Sequence, residues 1–233
     1  RRCLIRSTKP RIDQVPFERM LMRRGVRLIA GVDEVGRGAW AGPVAAAAVI
    51  LPRTAYEDRQ LLWGRTDSKK LSAAERLRWS TRIRATAVAV RVAFISPRRI
   101  DQLGIGVASS AAMVRALDAL PIPPDHVIVD AFPLPDQCRY AERQDAIVRA
   151  DATCLAVAAA SICAKVARDA LMVRLSRHHP AYGFDQHKGY GTVAHRQALA
   201  REGPSPLHRS SFRSVAKHLP GATGTQTTLG IGQ

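Results

Sequence analysis

Two adjacent carboxylates, Asp33 and Glu34, end a short apolar run and are followed at once by a glycine-rich turn at residues 36–43. The apolar run is typical of a buried β-strand. Neighbouring side chains of a strand point to opposite faces, so both carboxylates can serve one site only where the strand ends. The turn carries Arg37 and three glycines that allow positive φ and close approach of a ligand: Gly36, Gly38 and Gly42. This combination predicts metal ions beside a phosphate.

Two further strands are predicted to end on carboxylates, at Asp130 and at Asp151. Ligands of open α/β sheets gather at the carboxyl ends of the strands, so we expect these two side chains to join Asp33 and Glu34. Four such carboxylates repel one another unless divalent cations lie between them, and oxygen ligands favour Mg²⁺ or Mn²⁺. A pair of such ions can hydrolyse a phosphodiester. For Asp151 an alternative stays open, because strand-end aspartates also cap helices.

The glycine turn permits other interpretations. Its spacing is one residue away from the dinucleotide-binding fingerprint of NAD-dependent oxidoreductases. A pyrophosphate at that place would lie against Asp33 and Glu34 with no cation between like charges, which disfavours this function. A second alternative is a nucleic-acid-binding protein without catalysis, and the presence of all four carboxylates counts against it.

The charge of the chain points to a polyanionic partner. The 233 residues carry a formal net charge of +17, with a pI near 11.0. Residues 1–29 hold nine Lys and Arg against two acids, and residues 174–217 hold eight against two. A generally basic proteome is the alternative, but the clustering favours nucleic acid, bound with a steep dependence on salt.

Alternating strand and helix patterns predict a mixed α/β sheet. The predicted strands lie at about 28–34, 43–51, 88–95, 126–130 and 146–150, and the predicted helices at about 17–23, 72–85, 109–120, 155–177 and 194–202. Ser72 and Glu75 form a capping box at the start of the second helix. The alanines at 158–160 are expected to let the long helix lie close to the sheet.

One face of the long helix carries Ser161, Lys165 and Arg168 at helical spacing. A solvated helix face is the interpretation adopted for Arg168, and it stays open for the other two. The four cysteines show no zinc or redox spacing, so we expect free thiols in a reducing cytosol. No signal peptide or membrane-spanning segment is visible, and a cytoplasmic location is expected.

Seven segments of the chain resemble the bacterial ribonuclease HII family, the type 2 ribonucleases H. They come in the family's order over about residues 28–215: GVDEVGRG at 31–38, AGPV at 41–44, DSKKL at 67–71, VD at 129–130, AAASICAKVARD at 158–169, HKGY at 187–190 and HRSSF at 208–212. The resemblance implies an RNase H-like mixed five-stranded sheet flanked by helices, with a small C-terminal helical portion. It also implies cleavage of RNA in RNA–DNA hybrids and 5′ to single ribonucleotides in duplex DNA, leaving 5′-phosphate and 3′-hydroxyl ends.

The resemblance assigns roles to particular residues. It implies that the metal ligands and catalytic residues are Asp33, Glu34, Asp130 and Asp151. It implies nucleic-acid-binding roles for Gly36, Arg37, Gly38, Lys69, Ser161, Lys165 and Tyr190. Within that second set, residues 36–38 would read the ribose 2′-hydroxyl, Tyr190 would pack on the next deoxyribose, and the lysines and the serine would hold phosphates. For Tyr190 the alternative is a buried tyrosine that anchors the glycine loop.

The expected organisation of the chain follows from these segments. We expect a basic N-terminal extension at 1–27, the RNase H-like domain at 28–193, a C-terminal helical segment at 194–218 and a disordered tail at 219–233. The protein is expected to be a monomer. The tail contains QTTL at 226–229, faintly like a sliding-clamp-binding peptide but without its aromatic end. Ala131 and Ala150 stand where the family often has glycine, and the second departure leaves the pose of Asp151 open.

Overall fold

The computed structural model of the chain describes residues 16–57 and 71–219, and these residues form a five-stranded mixed sheet with helices. The strands are β1 Ile29–Val35, β2 Val44–Ile50, β3 Ala89–Ile95, β4 His126–Asp130 and β5 Gln144–Ile147. The helices are α1 Pro16–Arg23, α2 Arg53–Glu57, α3 Ala73–Thr86, α4 Pro97–Leu103, α5 Ile105–Asp118, α6 Ala150–Thr153, α7 Leu155–Ser176, α8 Phe184–His187, α9 Val193–Glu202 and α10 Arg213–Ala216. The predicted mixed five-stranded sheet with helices is confirmed.

The sheet has the strand order β3-β2-β1-β4-β5, so the first strand occupies its centre. Strand β1 runs antiparallel to β2 and parallel to β4, and β4 runs parallel to β5. The carboxyl ends of β1 and β4 therefore meet at one edge, with Val32 paired to Val129 one residue before each strand's aspartate. This pairing is what brings Asp33 and Asp130 together.

The described residues divide into two compact units. The first unit comprises residues 16–35, 45–57, 71–94 and 109–167, and the second comprises residues 36–44, 95–108 and 168–219. The first unit holds the sheet, and the second holds the glycine turn that follows β1 in sequence together with α4, α8, α9 and α10. The domain limits expected from the sequence, at residues 28, 194 and 219, partition the chain differently and stay predictions.

Helix α7 packs closely on β1 within the first unit. A Cβ placed on Gly31 would lie 2.1 Å from the carbonyl carbon of Ala156, so only glycine fits at this point of the strand. Ala158, Ala159 and Ala160 are all buried. The prediction that small residues let the long helix approach the sheet is confirmed, and the approach fixes the start of α7 beside the carboxylate-bearing strand.

Helix α1 belongs to the core of the first unit. Leu21 is buried with Ile29 and Ile128, and Phe17 packs against the same cluster. The predicted helix near residues 17–23 is therefore confirmed. A truncation that removes the basic arm but keeps these core side chains must therefore end before residue 16.

Glu18 of α1 caps the first turn of α7 from a fully buried position. Its Oε1 accepts a hydrogen bond of 3.2 Å from the backbone N–H of Ala156, a group that has no partner within its own helix. Its Oε2 is buried and has no hydrogen-bond partner among the described residues. Burial raises the pKa of Glu18 from 4.5 to about 7, although backbone hydrogen bonds oppose the shift.

This raised pKa predicts a pH-dependent stability that Glu18→Gln should remove. The folded chain holds the proton more tightly than the unfolded chain, so the contribution is complete below pH 4.5 and is lost as the pH rises through about 7. The loss is on the order of 3 kcal/mol. Denaturant unfolding between about pH 5 and pH 8 should give a flatter profile for Glu18→Gln than for the parent.

Glu142→Gln is the matched control, since Glu142 is exposed and lies in a short 3₁₀ turn. That variant should keep the parent's dependence on pH. Parallel profiles for all three proteins would show that the Glu18 carboxyl does not bind a proton preferentially in the folded chain.

Several sequence-based boundaries need correction. The last strand ends at Ile147, not at residue 150, because Arg149 takes a left-handed conformation with φ 60° that ends the extended chain. Helix α4 was not predicted, although Ser96 caps it and Pro97 occupies its first turn. Helix α5 begins at Ile105, earlier than expected.

Other local predictions are confirmed. The capping box of Ser72 and Glu75 is present at the start of α3. Cys154 and Cys163 are buried free thiols, and Cys138 is a half-buried one. Within the described ranges, none of the helices is long and apolar enough to cross a membrane. Cys3 and the QTTL segment lie outside the described residues.

Candidate active site

All four predicted carboxylates line one cavity of about 340 Å³ in the first unit. Asp33 and Glu34 come from the end of β1, Asp130 from the end of β4, and Asp151 from α6. The remaining lining residues are Val35, Arg76, Ser161, Ile162 and Lys165. The cavity is therefore lined by four carboxylates and by two basic side chains, those of Arg76 and Lys165.

Asp33 is buried at the end of β1, among other carboxylates. Its side chain is 6% exposed, and its Oδ1 accepts a hydrogen bond of 2.8 Å from the Glu34 backbone N–H. Burial raises the pKa of Asp33 well above its usual range, and the charges of Glu34 and Asp130 raise it further, while a hydrogen bond with Ser161 lowers it. A site of this kind favours either a proton or a cation beside the carboxylate.

Asp130 positions the element that carries Asp151. Its Oδ1 accepts a hydrogen bond of 2.7 Å from the backbone N–H of Ala150, the first residue of α6. Asp151 follows directly and is 3% exposed. Asp151 therefore reaches the cavity from a helical turn, which corrects the prediction that it ends a strand. It does not cap this helix, since Arg149 occupies the N-cap position.

Ala131 adopts a strained backbone next to Asp130. Its φ is 62°, in the left-handed region that costs an L-residue with a Cβ roughly 1–2 kcal/mol. This is the position where the resembling family often carries glycine. The chain therefore keeps an unfavourable local conformation at the edge of the candidate site.

Ala131→Gly is expected to raise the free energy of unfolding by about 1 kcal/mol, because glycine adopts this backbone without a Cβ clash. Denaturant unfolding of the two proteins measures the change. Ala111→Gly, in the interior of α5, should instead lower stability by a similar amount. If Ala131→Gly is destabilised as much as Ala111→Gly, the strain at residue 131 is absent.

The role of the two α7 residues in binding phosphate stays a prediction. Ser161 and Lys165 both line the cavity. Arg76 of α3 also lines it and was not predicted, because α3 carries four arginines and periodicity alone does not single one out: Arg76, Arg78, Arg82 and Arg84. Its guanidinium donates a hydrogen bond to the Leu71 carbonyl. Lys69 lies outside the described residues.

The solvated helix face predicted for Arg168 is wrong. Arg168 is 0% exposed and lies in the second unit, where its Nε donates to the Pro43 carbonyl at 2.9 Å and its Nη2 to the Ala41 carbonyl at 3.2 Å. Backbone carbonyls of an irregular turn have no ladder partner, so a buried guanidinium satisfies them. Helical periodicity identified the face correctly but did not reveal what covers it.

A second buried guanidinium holds the same turn. Arg209 donates through both Nε and Nη2 to the Gly42 carbonyl at 3.0 Å, and through Nη1 to the Arg37 carbonyl at 2.8 Å. Burial, and then the positive charge of Arg168, lower its pKa to about 9. In the sequence, only the HRSSF segment of the family resemblance pointed to Arg209. Together the two arginines fix the backbone of residues 36–43.

Packing explains glycine at one position of this turn but not at another. Gly36 has φ 91°, and a Cβ there would lie 2.2 Å from the Arg168 Nε, so packing requires glycine. Gly38 is exposed, and a Cβ there would meet nothing within 4 Å. The folded chain gives no reason for glycine at residue 38.

Tyr190 lies in a loop whose backbone is held by hydrogen bonds from other segments. The Gly189 carbonyl accepts a hydrogen bond of 2.8 Å from the Trp40 N–H. The Arg168 guanidinium carbon lies 5.3 Å from the centre of the Tyr190 ring. The side chain is half-buried.

The donor set of the cavity suits a divalent cation, although it is not a closed cage. Within residues 16–57 and 71–219, no three His, Cys, Asp or Glu side chains already stand as a metal-ligand cluster. Four carboxylates nevertheless line one cavity, and oxygen donors of this kind favour hard divalent ions. Burial and the charges of Glu34 and Asp130 raise the pKa of Asp33, and a cation bound beside this carboxylate would oppose that shift.

Comparisons with known proteins agree on one family. The family model described as Ribonuclease HII matches residues 30–215. The ribonuclease HII of Chloroflexus aurantiacus is 48% identical over 208 residues, which cover 89% of this chain and 97% of that protein. The structure of ribonuclease H2 from Pyrococcus horikoshii OT3 matches with a TM-score of 0.69 at 25% identity, covering 82% of this chain and 96% of that one.

A structure of the complex between PCNA and RNase HII from Archaeoglobus fulgidus matches with a TM-score of 0.63 at 27% identity, covering 78% of this chain and 92% of that one. The sequence relatives and the fold thus agree. The chain belongs to the ribonuclease HII family of metal-dependent endoribonucleases, which cleave the RNA of RNA–DNA hybrids and cut at ribonucleotides in DNA.

Proposed function

We propose that the carboxylate cavity of the first unit is the active site of this ribonuclease, with Asp33, Glu34, Asp130 and Asp151 as its catalytic metal ligands. The observation that carries the proposal is their convergence from β1, β4 and α6 on one cavity that also holds Lys165. Structural carboxylates are usually paired singly with cations or caps, whereas four in one cavity suit divalent ions and a phosphate.

Divalent cations, Mn²⁺ or Mg²⁺, would supply a nucleophilic water at neutral pH and charge stabilisation for the leaving 3′-oxygen. The chain's own residues hold and orient this chemistry. Glu34 and the Ser161 hydroxyl both contact Asp33, and this fixes the orientation of its carboxylate. Asp130 sets the start of the helix that carries Asp151.

The basic residues of the cavity are proposed to bind the substrate's phosphates. Lys165 and Arg76 supply positive charge beside the carboxylates, and Ser161 supplies a hydroxyl. Lys69 is proposed for the same role on the strength of the DSKKL segment alone. Arg76 adds a guanidinium that can bind a phosphate through two nitrogens.

Selection of the ribonucleotide is proposed to rest on residues 36–38 and on Tyr190. Phosphates are alike in RNA and DNA, so a protein distinguishes them through the 2′-hydroxyl. Gly36, Arg37 and Gly38 lie on a turn whose backbone carbonyls are held by buried arginines, and their N–H groups are proposed to approach the ribose. The ring of Tyr190 is proposed to pack on the following deoxyribose, where a further hydroxyl would not fit.

Partners other than nucleic acid stay predictions. The PCNA complex of the Archaeoglobus fulgidus protein makes a sliding clamp a reasonable partner to test. The QTTL segment lies outside the described residues, and a clamp pull-down with and without residues 219–233 would test it. A monomeric state and a cytoplasmic location also stay predictions.

The proposed function is tested with a labelled DNA duplex that contains one ribonucleotide, and with an all-DNA duplex of the same sequence as control. The full chain should cut only the first, 5′ to the ribonucleotide, with Mn²⁺ or Mg²⁺ and not with EDTA. The fragments should carry 3′-hydroxyl and 5′-phosphate ends. Equal cutting of both duplexes, or no cutting of the first with either metal, would contradict the proposal.

A further inference from the structure

Two buried histidines of the second unit face each other through a single hydrogen bond. The Nε2 atoms of His195 and His208 lie 3.0 Å apart. The two rings are 0% and 3% exposed, so water does not replace this contact. Two imidazole nitrogens at this distance require that one donates and the other accepts. The partners of the opposite ring nitrogens decide which one donates.

The outer contacts determine the tautomer of each ring. The His208 Nδ1 accepts a hydrogen bond of 2.9 Å from the Ser205 backbone N–H, a group that can only donate, and the Ser205 hydroxyl, also at 2.9 Å, can donate to the same nitrogen. Neutral His208 therefore carries its proton on Nε2 and donates to the His195 Nε2. His195 then carries its proton on Nδ1, which lies 3.0 Å from the carbonyl of Tyr190, a group that can only accept. Each donor meets an acceptor.

An additional proton on the His195 Nε2 would face the N–H of His208 and find no acceptor. An additional proton on the His208 Nδ1 would displace the hydrogen bond from the Ser205 backbone N–H and would have to turn to the Ser205 Oγ. Burial accordingly lowers the pKa of both rings to about 4. His187 stacks on His195 at 4.4 Å and has its own pair of partners, the Gly189 N–H and the Tyr182 carbonyl.

The chain of hydrogen bonds ends on the backbone of Tyr190. The preceding carbonyl, that of Gly189, is already held by the Trp40 N–H, so two successive carbonyls of this loop have fixed donors. The Tyr190 side chain projects from this backbone, and the Arg168 guanidinium carbon lies 5.3 Å from the centre of its ring. The histidine pair therefore helps to hold the backbone of this loop through the Tyr190 carbonyl.

We propose that His195 and His208 are positioning residues for substrate selection: as neutral tautomers they relay a hydrogen bond from Ser205 to the Tyr190 carbonyl and so hold Tyr190 in the pose that reads the sugar after the ribonucleotide. The inference rests on the proposed role of Tyr190. It assigns no proton transfer to either histidine, and the reaction at the carboxylates does not pass through them.

The tautomers are tested directly by long-range ¹H–¹⁵N spectra of the full chain at neutral pH. We expect His195 protonated on Nδ1, and His208 and His187 protonated on Nε2. This measurement does not depend on any variant or on activity. The reverse tautomer of His195, or a charged ring at neutral pH, would overturn the relay.

The effect on selection is tested with His195→Leu and His195→Asn. Leucine fills a similar volume and donates nothing, whereas the asparagine amide can still donate to the Tyr190 carbonyl from near the Nδ1 position. We measure the ratio of the single-turnover rate on a lone ribonucleotide to that on a continuous hybrid. His195→Leu should lower this ratio about tenfold, and His195→Asn should stay within about twofold of the parent. Equal ratios for parent and His195→Leu would overturn the inference.

A double-mutant cycle with Tyr190→Ala separates this inference from the proposed function. Once the ring is absent, His195→Leu should change the ratio no further. Additive effects would show that the histidines act elsewhere and would overturn the relay. If Tyr190→Ala leaves the ratio unchanged while the tautomers are as expected, the proposed role of Tyr190 fails and the hydrogen-bonded relay itself stands.

Discussion

Asp130→Asn is expected to lower the single-turnover cleavage rate by at least about a thousandfold while leaving the fold and hybrid binding intact. The asparagine Oδ1 can still accept the hydrogen bond from the Ala150 N–H, so α6 keeps its start and Asp151 its place. What the substitution removes is one negative charge from the cavity. Asp33→Asn should give a loss of the same order, measured on a duplex with one ribonucleotide.

The two substitutions should not reduce stability. Asp33 is buried beside Glu34 and Asp130, and this environment already opposes its charge. An amide resembles the protonated acid, so metal-free Asp33→Asn should unfold at a temperature equal to or above the parent's. Affinity for the polyanionic substrate should be retained or increase, since a negative charge is lost.

Asp125→Asn provides the matched control. Asp125 is exposed and accepts hydrogen bonds from the backbone N–H groups of Arg27 and Leu28, outside the cavity. Cleavage by this variant should stay within about threefold of the parent. Turnover near the parent rate in purified Asp33→Asn or Asp130→Asn would contradict the assignment of the four carboxylates.

Gly38→Ala is expected to lower cleavage at a lone ribonucleotide on the order of a hundredfold without changing the melting temperature. A Cβ on Gly38 meets no atom of the protein within 4 Å, and the residue does not require positive φ. The added methyl group should therefore cost nothing in the free protein. If the backbone of residue 38 approaches the ribose, the same methyl group would occupy the space of the substrate.

Gly106→Ala is the matched control, because Gly106 also has open space at its Cβ but lies within α5. This variant should keep parental cleavage and gain slightly in stability, since alanine favours a helix. Gly36→Ala is not a usable test, as its Cβ would overlap the Arg168 side chain. Parental activity of Gly38→Ala on both substrates would exclude close approach of residue 38 to the ribose.

The sequence predicted the sheet and the carboxylate site through local patterns. Strand β4 begins and ends where its apolar run predicted, and the carboxyl ends of parallel strands bring Asp130 to Asp33. The position of Asp151 was less predictable. Arg149 takes a left-handed backbone that its residue type does not favour, so the end of β5 carried no sequence signal.

The remaining site residues depend on contacts between segments far apart in the chain. Periodicity placed Arg168 on a helix face, but only the folded turn of residues 36–43 shows that this face is covered. Arg76 is one of four arginines on its helix and gave no signal of its own. The link from His208 to Tyr190 joins two segments that no helical or strand period relates.

The central claim is that the four carboxylates bind the metal ions that cleave the substrate, and it is tested most directly by counting bound Mn²⁺. The full chain is titrated with Mn²⁺ in the presence of a hybrid that cannot be cut, and free Mn²⁺ is read by electron paramagnetic resonance. We predict two ions per chain for the parent and for Asp125→Asn, and fewer for Asp33→Asn and Asp130→Asn. Equal counts in all four proteins would contradict the claim.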